Sequence, residues 1–364
     1  MTANVCMQPA LCAALLAACA AGIAGADVPA VRPISATTYT MGARIASGAP
    51  YETDELPPHL VTLDRYEMGV TEITSAQFCE MLNQRTTWVR QAAASEDGAS
   101  NACYGVLRFT GPNGEPLVWL ATVASVITNV AGIWQPMPDA RSNHPMVNVT
   151  WYGAALFCNF SSERAGLIPL YNTTDWSCAW LIANETNAGF HLPTEAQWEW
   201  AAGAGKPTYA YPWGHFMLLS SCNVYASGDA NETNNPALWP ATMPVASYPS
   251  NAFGLYDMIG NVREWCQDWY DPGYYSNSPG LCPKGPDTPT PWLAGGTNKA
   301  TRGGGWAYTP RYVSVAARDC EHPAIGARDL GFRVGRYALF VPEPGLATGM
   351  LCIIGALFAI RRQR

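Results

Sequence analysis

Cysteine, histidine and arginine are the residue types through which this chain could do chemistry, and their spacing narrows the options. Away from the two chain ends lie Cys79, Cys103, Cys158, Cys178, Cys222, Cys266, Cys282 and Cys320. Thiolates act as nucleophiles and as ligands for soft metals, but no Cys-x-x-Cys occurs, so neither a zinc ribbon nor a thioredoxin-like centre is supported. In an oxidising compartment this even number points to disulfides. Cys266 and Cys282 bracket one loop rich in Pro, Gly and Tyr and are the pair expected to join. His59, His144, His191, His215 and His322 show no paired spacing for a metal site or a Ser-His-Asp arrangement. Arg302-Gly303-Gly304-Gly305 has the glycines of a phosphate-cradling loop without the Lys-Ser/Thr that completes one, so tight backbone packing is the simpler role. Arg302, Trp306, Tyr308 and Arg318 are side chains of the kind that line ligand pockets, and equally of the kind that fill a core.

The elements that would position these residues can be read from periodicity. His59 to Val70 alternates apolar and polar residues with a slip at Asp64-Arg65, which predicts one bulged strand. Thr74 to Asn83 predicts a short helix with Ala76, Cys79, Met81 and Leu82 inward, and Trp151 to Ala165 a core helix stopped by Gly166. Thr194 and Gln197 form a capping box that opens a further helix. Beyond Gly203 the chain is turn-rich, with short strands expected near 244–247, 300–304 and 332–337. The stretch from Arg85 to Asn143 offers a Gly-Pro-Asn-Gly turn and an apolar run but no motif.

The chain has 364 residues, 48% hydrophobic and 13% charged, enough to bury a large core and far from a disordered composition. Its 33 Gly and 29 Pro favour loops over a helical bundle. A net charge of -7, with no basic run outside the C-terminal tip, argues against a nucleic-acid partner. Residues 1–26 are free of acids, apolar from Ala10 to Ala24 and end in Ala24-Gly25-Ala26, the form of a secretory signal. Leu16-Ala17-Ala18-Cys19 also has the form of a lipobox, which would lipidate Cys19. At 341–364, Pro342-Glu343-Pro344, an apolar stretch and Arg361-Arg362-Gln363-Arg364 follow one another. This order resembles a PEP-CTERM sorting signal, which implies exosortase-type processing and transient membrane attachment through the apolar helix; a permanent single-span anchor is the alternative. Both readings expect export to the envelope or beyond. Between the ends, residues 31–337 read as one domain.

Tyr39-Thr40-Met41-Gly42, Thr71-Glu72-Ile73-Thr74, His144-Pro145-Met146-Val147-Asn148-Val149, His191-Leu192-Pro193-Thr194-Glu195, Tyr211-Pro212-Trp213-Gly214, Gly254-Leu255-Tyr256-Asp257 running to Trp265, Arg302-Gly303-Gly304-Gly305-Trp306 and Gly331-Phe332-Arg333 occur in this order. Together they resemble the sulfatase-modifying factor, or formylglycine-generating enzyme, family over nearly the whole chain between the ends. The resemblance implies an α+β, loop-rich fold related to C-type lectins, with structural calcium. One calcium site would fall on Asp257, Gly260, Val262 and Glu264, whose carboxylates and turn carbonyls are the hard oxygen donors calcium takes; the competing role for Glu264 is pairing with an Arg. The other would use Asn223 and Val224 with Asp229 and Asn231.

Catalysis in that family relies on two cysteines after the Arg-Gly-Gly segment that bind copper. Here Trp306 to Val315 holds no cysteine, and Cys320 lies past those positions. No copper is expected. The resulting expectation is a non-catalytic, calcium-stabilised module that binds a peptide, glycan or matrix component; the alternative is a formylglycine-generating oxidase or another oxidase using the same pocket.

Overall fold

A computed structural model of the chain describes residues 28–43, 51–85, 90–92, 107–110, 116–120, 126–136, 141–179, 188–225, 241–289, 291 and 297–337. The expected leader at 1–26, the tail signal at 341–364, and the candidate ligands Asp229 and Asn231 lie outside these residues.

The alternating stretch at 59–70 makes two strands rather than one bulged strand. After β1 (Val31–Ile34) and β2 (Thr37–Met41) come β3 (His59–Leu63) and β4 (Tyr66–Gly69), parted at Asp64-Arg65. β3 pairs antiparallel with β2, and β4 pairs antiparallel with β1, so the slip is the point at which the chain changes sheets. Helix α1 (Ser75–Gln84) follows, with Thr74 as N-cap and Gln77 completing a capping box. It buries Phe78, Cys79, Met81 and Leu82 and leaves Ala76 half-buried, a face rotated slightly from the expected one.

The segment without motifs forms strands β5 (Arg90–Ala92), β6 (Leu107–Thr110) and β7 (Pro116–Leu120), then the hairpin β8 (Ile127–Val130) and β9 (Ile133–Pro136). Helix α2 (Trp151–Arg164) is capped by Thr150 and ends before Gly166, which takes a left-handed φ of 69°. After β10 (Phe190–His191), helix α3 (Glu195–Ala202) starts at the predicted Thr194–Gln197 capping box. The predicted strand near 244–247 is a turn, since the Ala246 amide is taken by the Asp257 carboxylate at 2.6 Å and no ladder forms.

The last strands are β11 (Arg263–Trp269), β12 (Lys299–Arg302), β13 (Arg318–Glu321), β14 (Leu330–Gly331) and β15 (Gly335–Tyr337). They build a sheet of order β13-β12-β11-β14, while β1-β4-β15-β10 form another. The long β11 lies between two apolar clusters. Trp265 joins Trp151, Phe157 and Phe332 in one, and Cys266 joins Trp198, Met68 and Val315 in the other. Burying such rings contributes about 1.5–3 kcal/mol each.

This alternation separates the expected cysteine pair. Cys266 is wholly buried inside the second cluster, whereas the Cys282 Sγ sits half-buried 3.5 Å from the Asp64 carboxylate. Both are free thiols, so the predicted disulfide is not formed.

Candidate ligand pocket

Arg302 ends β12 and Arg318 begins β13, and the antiparallel register sets them opposite each other. Both guanidiniums turn to Glu195 at the start of α3. Arg302 Nε donates to Glu195 Oε2 at 3.0 Å, while Arg318 donates from Nε at 2.8 Å and from Nη2 to Oε1 at 2.8 Å. Arg302 Nη2 also donates to Glu199 Oε2 and to the Tyr275 hydroxyl, at 3.0 and 2.9 Å. Burial alone would push the Glu195 carboxyl up; the charges of Arg318 and Arg302 outweigh it and hold the group below its ordinary value. Arg318 is further fixed face-on to Tyr275 and Tyr270, at 4.3 and 4.9 Å from their ring centres.

Beside this network opens a cavity of about 510 Å³ lined by Arg302, Gly303, Gly304, Tyr308, Tyr312 and Arg318, together with Asp319 and the 52–55 turn. The glycines are required by shape. Gly303 has φ +91° and a Cβ there would stand 3.1 Å from the Trp198 ring, and Gly304 has φ +63° with the Val313 side chain against it. Tyr308 donates to Asp319 at 2.6 Å and Tyr270 to Asp54 at 2.6 Å. Burial pushes the Tyr308 hydroxyl far above its ordinary value, so it stays a neutral phenol. Glu55 is only 3% exposed, and burial raises its carboxyl to about 7.

Three of the four residues singled out in the sequence, Arg302, Tyr308 and Arg318, therefore line one cavity. Trp306 does not: it is 7% exposed, donates to the Arg328 carbonyl at 3.3 Å and lies under the Arg328 guanidinium. The contributions of Glu55, Tyr270, Tyr275 and Asp319 were not legible beforehand. Arg318 Nη1 donates to the Asp54 carbonyl across 264 residues of chain, and no local pattern signals such a partner.

The calcium expectation meets a different arrangement. Both Glu264 oxygens are held by Arg333, Nε to Oε2 and Nη2 to Oε1 at 2.6 Å each, and Trp198 Nε1 adds a bond at 2.7 Å. The Arg pairing, and not an open oxygen cage, is what surrounds Glu264. Around it, however, Glu72 and Asp257 bring two further buried carboxylates to a single guanidinium. Burial first, then the neighbouring negative charges, raise Glu72 well above its ordinary value, and burial lifts Asp257 to about 6. Raised in this way, both carboxyls are shifted toward their neutral forms; Asp257 accepts from the Ala246 amide and Glu72 from Asn261 and the Val262 amide, and among the described residues no group of three or more His, Cys, Asp or Glu could hold a metal ion. What Asp257 and the turn through Gly260 and Val262 offer a cation is hard oxygen chemistry alone, with Glu264 held by Arg333. The Asn223–Val224 backbone abuts this turn: the Asn261 amide donates to the Asn223 carbonyl at 2.7 Å.

Comparison with known proteins agrees with this architecture. Residues 25–338 match the sulfatase-modifying factor enzyme 1-like domain. A formylglycine-generating enzyme of Streptomyces coelicolor is 30% identical over 327 residues, covering 84% of this chain and 91% of that protein. Among solved structures, variable protein 1 of Treponema denticola superposes with a TM-score of 0.54 at 24% identity, covering 84% of this chain and 94% of that one. PvdO from Pseudomonas aeruginosa superposes with a TM-score of 0.55 at 20% identity, covering 85% and 95%. On the order of its motifs, the α+β loop-rich fold they build and the extent of the match, this chain belongs to the sulfatase-modifying factor enzyme 1-like family.

Proposed function

We propose that the chain is a non-catalytic member of its family that works as an exported binding module, with the cavity of about 510 Å³ as its ligand site. One observation carries the reading. The segment Trp306 to Val315, where the resemblance places the copper-binding thiolates, holds no cysteine; its hydroxyls are those of Tyr308 and Ser314 among others, and no thiol is among the residues described as lining the cavity. A phenol held protonated by burial is a hard, neutral oxygen and cannot replace a thiolate on copper(I). The nearest cysteine in sequence, Cys320, packs toward the second cluster, and burial pushes its thiol up to about 11.

Both arginines of the site are held by Glu195 and Glu199, and Asp319 is paired with Arg263 at 3.4 Å, so the further carboxylates in the lining, apart from the buried Glu55, are those of Glu52 and Asp54, together with the 46% exposed Tyr312 ring. Such a surface favours a basic or hydroxyl-rich segment of a peptide, glycan or matrix component. Export through residues 1–26, exosortase-type processing at 341–364 and structural calcium at the Asp257 turn belong to the same proposal. They are supported by the apolar end segments and, for calcium, by the carboxylate and turn oxygens at Asp257, Gly260 and Val262.

Formylglycine generation is the competing reading, favoured by the identity to the Streptomyces coelicolor enzyme. Incubating the purified protein with a sulfatase-motif cysteine peptide, copper and oxygen decides between them. No mass change in the peptide is expected; turnover would establish the oxidase.

A further inference from the structure

Strand β12 runs between two cavities. Its Arg302 end lines the pocket described above, and its Lys299 end lines another of about 330 Å³, whose walls include Trp151, Trp176, Trp269, Gln267 and Cys178. Among the described residues the two cavities share none. Lys299 is 3% exposed, and its Nζ lies 4.2 Å from the Trp151 ring centre and 3.9 Å from that of Trp269. It donates to the Gln267 carbonyl at 2.8 Å. Among the described residues no carboxylate is within ion-pair distance of it.

The loop at 175–178 contributes further lining. Trp176 has a left-handed φ of 59°, rare for a bulky residue and a feature that concentrates at ligand sites. The Asn172 carbonyl accepts from its amide at 2.7 Å, and the Asp175 carboxylate accepts from the Ser177 amide and hydroxyl at 2.9 and 2.6 Å. The loop therefore places Trp176 in the cavity lining, tilted against Tyr152, at a cost in backbone strain.

We propose that Lys299 is a nucleophilic amine and that this cavity receives a small planar carbonyl compound, held as an imine on Nζ between the tryptophan rings. The amine lone pair attacks the carbonyl carbon and a C–N bond forms as the C=O π pair moves to oxygen. The two amine protons leave with that oxygen as water, and a C=N bond remains. Burial favours the neutral, attacking form and brings the Lys299 ammonium down to about 7. Facing it are Asp268 from β11 and Cys178, with Asp175, Lys284 and Asp287 at the rim. Asp268 is itself raised to about 8 by burial and then by Glu195, so it supplies little negative charge to keep the ammonium protonated. A lysine present only as a cation for the two rings would remain charged and inert.

The test is reductive trapping on the purified protein with pyridoxal and cyanoborohydride, followed by peptide mapping. The adduct should form on Lys299 at least about tenfold faster than on the exposed Lys206, which lies outside the cavity. Its rate should rise to a plateau through about pH 7. Trp269→Leu should lower the preference, and Lys299→Arg, which keeps a cation between the rings, should abolish the adduct without loss of fold. Labelling of Lys299 no faster than Lys206, or a rate still climbing at about pH 10, would overturn the assignment.

Discussion

Glu264 and Arg333, 69 residues apart in sequence, meet through two parallel hydrogen bonds of 2.6 Å with both side chains shut away from solvent. Trp198 caps the carboxylate from α3, and the Arg333 guanidinium also donates to the carbonyls of Gly69 and Tyr256. The pair therefore ties β11, α3 and the end of β4 together.

Removing one partner leaves a buried, uncompensated charge, which costs about 3–5 kcal/mol. Arg333→Met and Glu264→Gln should each lower stability by amounts of this order in urea unfolding. The double variant should lose clearly less than the two single losses summed, since the penalty of the orphaned charge is then gone. Additive losses would show that the pair is not coupled.

Chelation tests the cation proposed at Asp257. An ion bound only by the folded state adds RT ln(1 + [L]/Kd) to stability. EDTA should lower the melting temperature of the wild-type protein, and Asp257→Asn should blunt that response. An unchanged melting curve in EDTA would remove calcium from the account.

Glu55 should make stability fall as pH rises. Its folded value is raised to about 7 from an unfolded 4.5, so its favourable contribution is fully present below about pH 4.5 and is lost as pH climbs through 7. Glu55→Gln should flatten this part of the stability profile relative to wild type. Identical slopes for the two proteins between pH 4.5 and 7 would mean the carboxyl is not perturbed.

Cys266 and Cys282 should remain unlinked. A non-reducing digest of purified protein should contain no peptide joining them, because one thiol lies inside the apolar cluster and the other beside Asp64. Mass spectrometry that recovers the joined peptide would require β11 or the 282 loop to be placed differently.

Short-range physics was legible without coordinates. The Thr194–Gln197 capping box and the stop at Gly166 depend on residues within a few positions of one another, and the structure places both where the pattern does; the slip at Asp64-Arg65 is visible too, but it parts two strands of different sheets where the pattern predicts a bulge in one. The order of the family motifs carried the fold in the same way. The chemistry of the interior was not legible, because each decisive contact joins distant segments. A carboxylate in a turn motif reads as a calcium ligand until Arg333 arrives from 69 residues away. Trp306 could line a pocket or fill a core until Arg328 is seen to cover it, and nothing local to Lys299 signals that Trp151 and Trp269 close on either side of it. Which charge is buried, and beside what, is set by packing in three dimensions, and the local sequence carries no record of it.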